Sequence, residues 1–431
     1  MKQYIITLLL VCTLATISKA QHLNVNADSI PTYLLEIQEA TKQHFNLWNK
    51  DLYGSLLLVN PETREIYANE PDNKGVLVKA GTLYKGVLPH EISMANTAIE
   101  WNGKLWAMVI LPLSKDKDQR INLLAHELFH RAQPSLNFSA ANANNAHLDT
   151  KDGRIYFRLE LEALKSSVLA QTDKEKRLHL TNALTFRKYR NKIFPNTVST
   201  ENALELNEGM AEYTGQTVSG LNKKENAGNH FKTYIESFMS MPTFVRSFAY
   251  RTIPAYGFLA AQVNKEWNKQ ITDNTNLADY FTSLLKIKIP HNIDKAIQKN
   301  MMLYDGQKII DEESLREEKN KKLLAEYRAK FIEQSHFDIQ LEKMNFSFDP
   351  RIVVPLDDKG TVYPRIRISD VWGVLTATNG ALVTFDWKKV TVTKPTATNN
   401  LKLSGDGWTL DLLEGYSVIE KDGNYTLEKN K

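Results

Sequence analysis

The segment from Asp116 to Pro134 constrains the fold most, because it predicts a helix with apolar residues on nearly every side. Four apolar residues recur at helical spacing: Ile121, Leu124, Ala125 and Leu128. Leu123 and Phe129 add apolar surface to the remaining sides. A helix that is hydrophobic around most of its circumference is buried in a domain, whereas a surface helix has one polar face. We therefore expect the chain to build its core around this helix.

The same helix carries His126 and His130, four residues apart, with Glu127 beside the first. Residues i and i+4 lie one above the other on a helix face, so both imidazoles can bind one metal ion. Glu127 lies next to that face. A carboxylate there can take a proton from a zinc-bound water and pass it to a leaving amine. The alternative is a buried helix with two histidines that bind no metal.

A second informative segment runs from Leu206 to Tyr213, and its residues Asn-Glu-Gly-Met-Ala begin at Asn207. This Asn-Glu-Gly-x-Ala sequence, together with the His-Glu-x-x-His motif, resembles the gluzincin zinc peptidases of the aminopeptidase N and thermolysin group. The resemblance implies that Glu208 is the third zinc ligand. It also implies that Glu212, one turn further along the same face, orients a ligand histidine. The alternative for both glutamates is an ordinary acid on a helix surface.

Two features depart from these families. The interval between His130 and Glu208 is far longer than theirs, so the intervening helices must fold back to bring the two segments together. Ala95 stands where aminopeptidases carry the acid that binds the substrate's amino group. For the donor that stabilises the oxyanion, the resemblance favours Tyr256, with Tyr250 second. The alternative for Tyr256 is a buried core tyrosine.

The pattern along the chain predicts an α+β fold. Residues 21–115 give strand signals, including a hairpin about Asn102-Gly103, and predict a mostly antiparallel sheet. The resemblance implies that residues 21–115 and 116–340 belong to one gluzincin-like catalytic domain, with the helical zinc-binding part in 116–340. We expect residues 341–431 to form a small all-β module of the sandwich or barrel type. The apolar strand from Trp106 to Leu111 either pairs with an extended peptide or is a central strand paired on both sides.

Residues Met1 to Ala20 are typical of a secretory signal peptide, with Lys2 before an apolar stretch and a small-x-small cleavage site at Ser18–Ala20. The single cysteine, Cys12, lies inside it, so the mature chain has no disulfides. With 42% hydrophobic and 24% charged residues and a net charge of +4, the composition is that of an ordinary globular protein. It indicates no nucleic-acid partner and no integral membrane segment.

These observations predict a secreted or periplasmic zinc-dependent metallopeptidase that acts on a peptide or protein substrate. In it His126, His130 and Glu208 bind Zn²⁺, and Glu127 is the general base. The other interpretation is a secreted adhesion or carbohydrate-binding protein with a structural or vestigial zinc site. In that case the function would lie in the C-terminal module, whose ligand the sequence does not identify.

Overall fold

The computed structural model describes residues 26–139, 143–349, 352–399 and 401–430. It confirms the predicted α+β class, with an N-terminal sheet, a helical region and C-terminal sheets. The predicted signal peptide, residues 1–20, lies outside the described residues. The chain forms two compact units. The first contains the described residues up to Asn137 together with Thr214–Gly220, and the second contains Phe138–Tyr213 and the chain from Leu221 onward. The predicted domain boundaries stay a prediction.

The first unit combines three complete α-helices, and the end of a fourth at residues 214–219, with one six-stranded sheet. The helices are α1 (Ile30–Gln43), α2 (Phe45–Trp48) and α3 (Lys117–Ala132). The strands are β1 (Leu56–Val59), β2 (Glu65–Ala68), β3 (Val78–Ala80), β4 (Leu83–Val87), β5 (Thr97–Trp101) and β6 (Lys104–Ile110). Their order is β3-β4-β2-β1-β6-β5, and every pair is antiparallel except β1 with β6. The sheet is therefore mixed, although mostly antiparallel as predicted.

Strands β1 and β6 lie at the centre of this sheet and are covered on both faces. In β1, Leu56 and Leu58 contact the core that includes α1 and α3, while Leu57 and Val59 point to a second apolar cluster on the opposite face. Burial on both faces explains the continuous apolar sequence of these strands. Strand β6 pairs with β1 on one edge and with β5 on the other. Of the two interpretations of this segment, the one with a strand paired on both sides is therefore correct.

The helices of the second unit follow one another through most of the chain between residues 151 and 333. They are α4 (Lys151–Leu169), α5 (Asp173–Ile193), α6 (Val198–Leu204), the first part of α7 (Met210–Ser219), α8 (Ala227–Met239), α9 (Ala249–Ala261), α10 (Leu277–Leu284), α11 (Ile293–Asn300) and α12 (Gly306–Arg328). A π-helical turn, Glu205–Gly209, joins α6 to α7, and a second one, Ala329–Glu333, follows α12. None of the described helices is both long and apolar enough to cross a membrane.

The C-terminal strands form two sheets around a shared apolar core. The strands are β7 (His336–Gln340), β8 (Asn345–Phe348), β9 (Val354–Leu356), β10 (Gly360–Tyr363), β11 (Ile366–Asp370), β12 (Gly373–Ala377), β13 (Ala381–Val383), β14 (Lys389–Thr393), β15 (Ala397–Asn399), β16 (Lys402–Gly405), β17 (Trp408–Leu412), β18 (Tyr416–Lys421) and β19 (Asn424–Lys429). The sheet orders are β18-β19-β7-β14-β13-β10-β9 and β15-β16-β17-β12-β11-β8. Residues from both sheets, such as Phe337 and Leu410, share one core, as in a β-sandwich.

Candidate metal centre

Helix α3 begins where the sequence predicted and presents two opposite faces. The Asp116 side chain caps it by accepting a hydrogen bond from the Gln119 amide at 2.9 Å. Leu124 and Leu128 pack into the core of the first unit. These leucines hold one face of the helix against the core. Residues two positions further along lie on the opposite side of the helix. His126 and His130 occupy those positions.

The two histidines aim the same ring nitrogen at one point. Nε2 of His126 and Nε2 of His130 lie 3.0 Å apart. Two nitrogens bound to one zinc ion at about 2.0–2.1 Å with a tetrahedral angle would be roughly 3.3 Å apart. The observed spacing is close to that value. His126 is buried and His130 is half-buried. The pair is therefore arranged as two ligands of one metal ion.

Gln133 determines which nitrogen of His130 is available to a metal. Its Oε1 lies 2.9 Å from His130 Nδ1. An amide oxygen only accepts hydrogen bonds, so the imidazole proton is placed on Nδ1 and the Nε2 lone pair is left for a ligand. The sequence interpretation missed Gln133, although its position three residues after His130 near the end of the helix is a usable signal.

Glu208 lies within the π-helical turn, where two neighbours hold its carboxylate. The Asn207 side-chain amide donates a hydrogen bond to Oε1 at 3.1 Å, and the Tyr250 hydroxyl donates a short one to Oε2. π-Helical turns are rare and frequently occur at functional sites. The carboxylate is therefore positioned by its own helix and by α9.

The ligand atoms of His126, His130 and Glu208 all lie within 4.8 Å of one another, so these three residues could bind a metal ion. Two imidazole nitrogens and one carboxylate form a donor set used by catalytic zinc sites, which keep a fourth position for water or substrate. The residues present therefore fit the predicted ion, although the same donors also accept other divalent transition metals.

The packing of α9 explains why a glycine, Gly209, follows Glu208. A Cβ at this position would lie 2.5 Å from Cγ1 of Ile253 and 3.2 Å from the carbonyl oxygen of Ala249, both on α9. Real Cβ atoms do not approach other atoms as closely as the first of these distances, so α9 can pack here only against a glycine. This close approach is what brings Tyr250 to Glu208.

Glu127 and Glu212 are both buried. Glu127 lies on α3 next to His126 in the sequence. Glu212 accepts a hydrogen bond from the Tyr234 hydroxyl at 2.7 Å, and His230 stacks on the Tyr234 ring with centroids 5.2 Å apart. Burial lowers the pKa of His230 below its usual value, which favours the neutral ring. The predicted contact of Glu212 with a ligand histidine stays a prediction.

The structure places Tyr256 in the interior of the second unit. It is fully buried, and its hydroxyl donates a hydrogen bond to Glu160 at 3.0 Å. Burial, together with the Glu160 charge, raises the pKa of Tyr256 well above its usual value. Tyr250 lies six residues earlier on α9, roughly 120° away around the helix. Of the two tyrosines considered from the sequence, Tyr250 is the one that contacts Glu208.

Comparison of the chain with protein-family models, with curated proteins and with solved structures finds no match. The resemblance to gluzincins therefore rests on the two sequence motifs and on the convergence of His126, His130 and Glu208.

Proposed function

We propose that this protein is a secreted zinc metallopeptidase that hydrolyses peptide bonds. The observation that supports this most strongly is that His126, His130 and Glu208 bring their ligand atoms within 4.8 Å of one another, while Glu127 follows His126 in the sequence. A structural zinc site is normally closed by a fourth protein ligand and needs no adjacent base, whereas a hydrolytic site needs both an open position and a base.

A zinc ion held by these residues would polarise the scissile carbonyl and lower the pKa of a water molecule. Glu127 supplies the proton transfers. Its carboxylate accepts a proton from the attacking water, and the protonated form then donates that proton to the leaving nitrogen. Because Glu127 is buried, bulk water competes weakly for its oxygens, which strengthens its interactions with the reacting groups.

Tyr250 is the proposed donor to the oxygen of the scissile carbonyl as it gains negative charge. Its hydroxyl donates to the Glu208 carboxylate and the residue is half-buried, so a substrate bound next to Glu208 can approach the hydroxyl and take over that hydrogen bond. A single positioned donor of this kind typically contributes about 10²–10³-fold to the rate. Tyr256 has no comparable access, because it is fully buried in the interior of the second unit.

The substrate class follows from the resemblance, which implies a peptide or protein. Ala95, at the position of the amine-binding acid of aminopeptidases, is exposed and carries no charge. We therefore propose cleavage of internal bonds, without a requirement for a free amino terminus. Secretion is proposed on the residues of the predicted signal peptide alone.

The decisive test replaces Glu127 by glutamine, which keeps the side-chain shape but cannot accept the proton. We expect Glu127→Gln to retain zinc and its melting temperature and to lose about 10²–10⁴-fold in cleavage of a casein-like mixed substrate. Glu39→Gln, the same substitution at an exposed position on α1, should leave all three quantities unchanged. Equal cleavage by the Glu127 variant and the wild type would reject the proposal and favour the adhesion or carbohydrate-binding interpretation.

A further inference from the structure

In the described part of the second unit, five charged side chains contact one another and have no part in the proposed chemistry. They are almost completely buried and form one connected group, which we name the buried charge cluster: Glu160, Arg187, Arg190, Glu201 and Glu205. Arg187 and Arg190 lie one turn apart on α5, and both bind Glu160 of α4, at 2.6 and 2.7 Å. The cluster thus joins α4 and α5 to the helix that continues into the π-helical turn.

Glu205, the first residue of the π-helical turn, is held from two sides. Arg187 donates to both of its carboxylate oxygens, from Nη1 at 2.8 Å and from Nη2 at 2.6 Å. The Thr252 hydroxyl of α9 donates to Oε1 at 2.6 Å. A paired, two-point contact with a guanidinium fixes a carboxylate in orientation as well as position. The beginning of the turn is therefore anchored to α5 and α9.

The turn itself separates the directions of Glu205 and Glu208. In a regular α-helix, residues three apart lie roughly 60° from each other around the axis, so both carboxylates would point the same way. A π-helix closes its hydrogen bonds from i to i+5 and so has more residues per turn, which increases that angle. The wider turn allows Glu205 to enter the buried charge cluster while Glu208 lies on a different side of the helix, where Tyr250 contacts it.

Stability alone does not account for such a cluster. Burying ion pairs is costly, and replacing them with apolar residues of similar volume is often neutral or stabilising. The cluster also has three carboxylates for two guanidiniums, with His147 Nε2 as a further contact of Glu201 at 2.7 Å. Burial raises the pKa of Glu205. Buried ionic groups are best attested as devices that select one geometry among several, and the geometry next to this cluster is an uncommon turn that carries a metal ligand.

We infer that Arg187 is a positioning residue for the metal centre, which sets the direction of Glu208 by holding Glu205 at the start of the π-helical turn. This inference rests on Glu208 being a metal ligand, as proposed above, but not on peptidase activity. Arg187 acts through Glu205 and touches neither substrate nor metal. Its loss should therefore weaken metal binding more than a substitution elsewhere in the unit that lowers the stability by the same amount.

The test measures the zinc dissociation constant of full-length variants by competition with a fluorescent chelator, alongside the melting temperature. Arg187→Met removes the charge. We expect it to raise the Kd by about 10- to 100-fold, which is typical when a residue that orients a metal ligand is lost. The matched control is Arg154→Met, because Arg154 is equally buried and pairs with Glu313 at 2.7 Å. We expect the control to lower the melting temperature similarly and to leave the Kd within about twofold.

Arg187→Lys keeps the charge but cannot make the two-point contact. If Arg187→Met does not fold, this variant decides, with an expected rise in Kd of about 3- to 10-fold. A folded Arg187 variant with the wild-type Kd, or an equal rise in the Arg154 variant, would overturn the inference. A wild-type protein that binds no zinc would overturn both this inference and the metal assignment. Zinc binding without peptide cleavage would leave this inference standing and reject the peptidase.

Discussion

Replacing Gly209 with alanine adds one methyl group at the place where α9 meets the π-helical turn. The new carbon would lie 2.5 Å from Cγ1 and 2.8 Å from Cβ of Ile253, and 3.2 Å from the Ala249 carbonyl oxygen. A change of Ile253 rotamer can move Cγ1, but Cβ and the carbonyl oxygen move only with the backbone. Relief therefore requires α9 to shift away from the turn, and Tyr250 moves with it.

The expected cost is a balance of two terms. Overpacking a well-packed site costs about 1–3 kcal/mol, and contacts with backbone-fixed atoms favour the upper end. Alanine in place of glycine in a helix returns up to about 1 kcal/mol. We therefore expect Gly209→Ala to reduce the free energy of unfolding by about 2 kcal/mol. Because the same shift withdraws Tyr250 from Glu208, zinc affinity should fall as well.

Urea unfolding followed by circular dichroism measures the free energy of unfolding, and chelator competition measures the zinc affinity. Gly228→Ala on α8 is the matched control, because the nearest atom to its added carbon is a Leu169 methyl group at an ordinary 3.5 Å. The control should be as stable as the wild type or more stable by up to about 1 kcal/mol. A Gly209 variant as stable as the wild type, with unchanged zinc affinity, would show that the close approach of α9 does not constrain the site.

Three further outcomes are expected. With saturating zinc, because its hydroxyl also contacts Glu208, Tyr250→Phe should lower the cleavage rate by about 10²–10³-fold with little effect on stability. Tyr256→Phe should cost about 1 kcal/mol of stability and leave the rate per folded molecule unchanged; the reverse pattern would make Tyr256 the donor. The hydrogen bond from Arg120 lowers the pKa of Glu36, so this pair stabilises the fold above the unfolded pKa of about 4.3 and loses its effect as the pH falls through the lower folded pKa. Urea unfolding as a function of pH should therefore show a weaker acid dependence in Glu36→Gln than in the wild type, and identical curves would exclude a contribution from the pair. Because Ala95 supplies no amine-binding acid, acetylating the amino terminus of a peptide substrate should not abolish cleavage, as a mass-spectrometric assay would show; cleavage confined to free amino termini would contradict this.

Features that depend on neighbouring residues in the sequence were predictable. Helix α3 was predicted from the spacing of its apolar residues, and it runs from Lys117 to Ala132. The Asn102-Gly103 turn was predicted as a hairpin, and both residues adopt the positive φ angles, 49° and 77°, that such tight turns require. Short-range stereochemistry determines these elements, so the sequence is sufficient to predict them.

Features that depend on distant partners were not predictable. Glu160 lay in a helical stretch where charges usually face solvent, but it is fully buried because Arg187 and Arg190 reach it from the next helix. Likewise, Tyr250 and Tyr256 have similar local sequences, and only the packing of α9 shows which one contacts Glu208. The π-helical turn has no recognisable sequence signal, since it results from the contacts at its two ends.

The first unit is discontinuous in the chain, which affects when it can fold during synthesis. Its last segment, Thr214–Gly220, is separated from the rest by residues 138–213 of the other unit. This segment supplies Thr214, whose hydroxyl accepts a hydrogen bond from the buried Trp48. Ribosomes add about 5–20 residues per second, so roughly 4–15 s pass between the emergence of Asn137 and that of Thr214. During that interval the segments that form the sheet and α3 lack Thr214–Gly220, so the first unit can complete its core only after residues 138–213 have been synthesised.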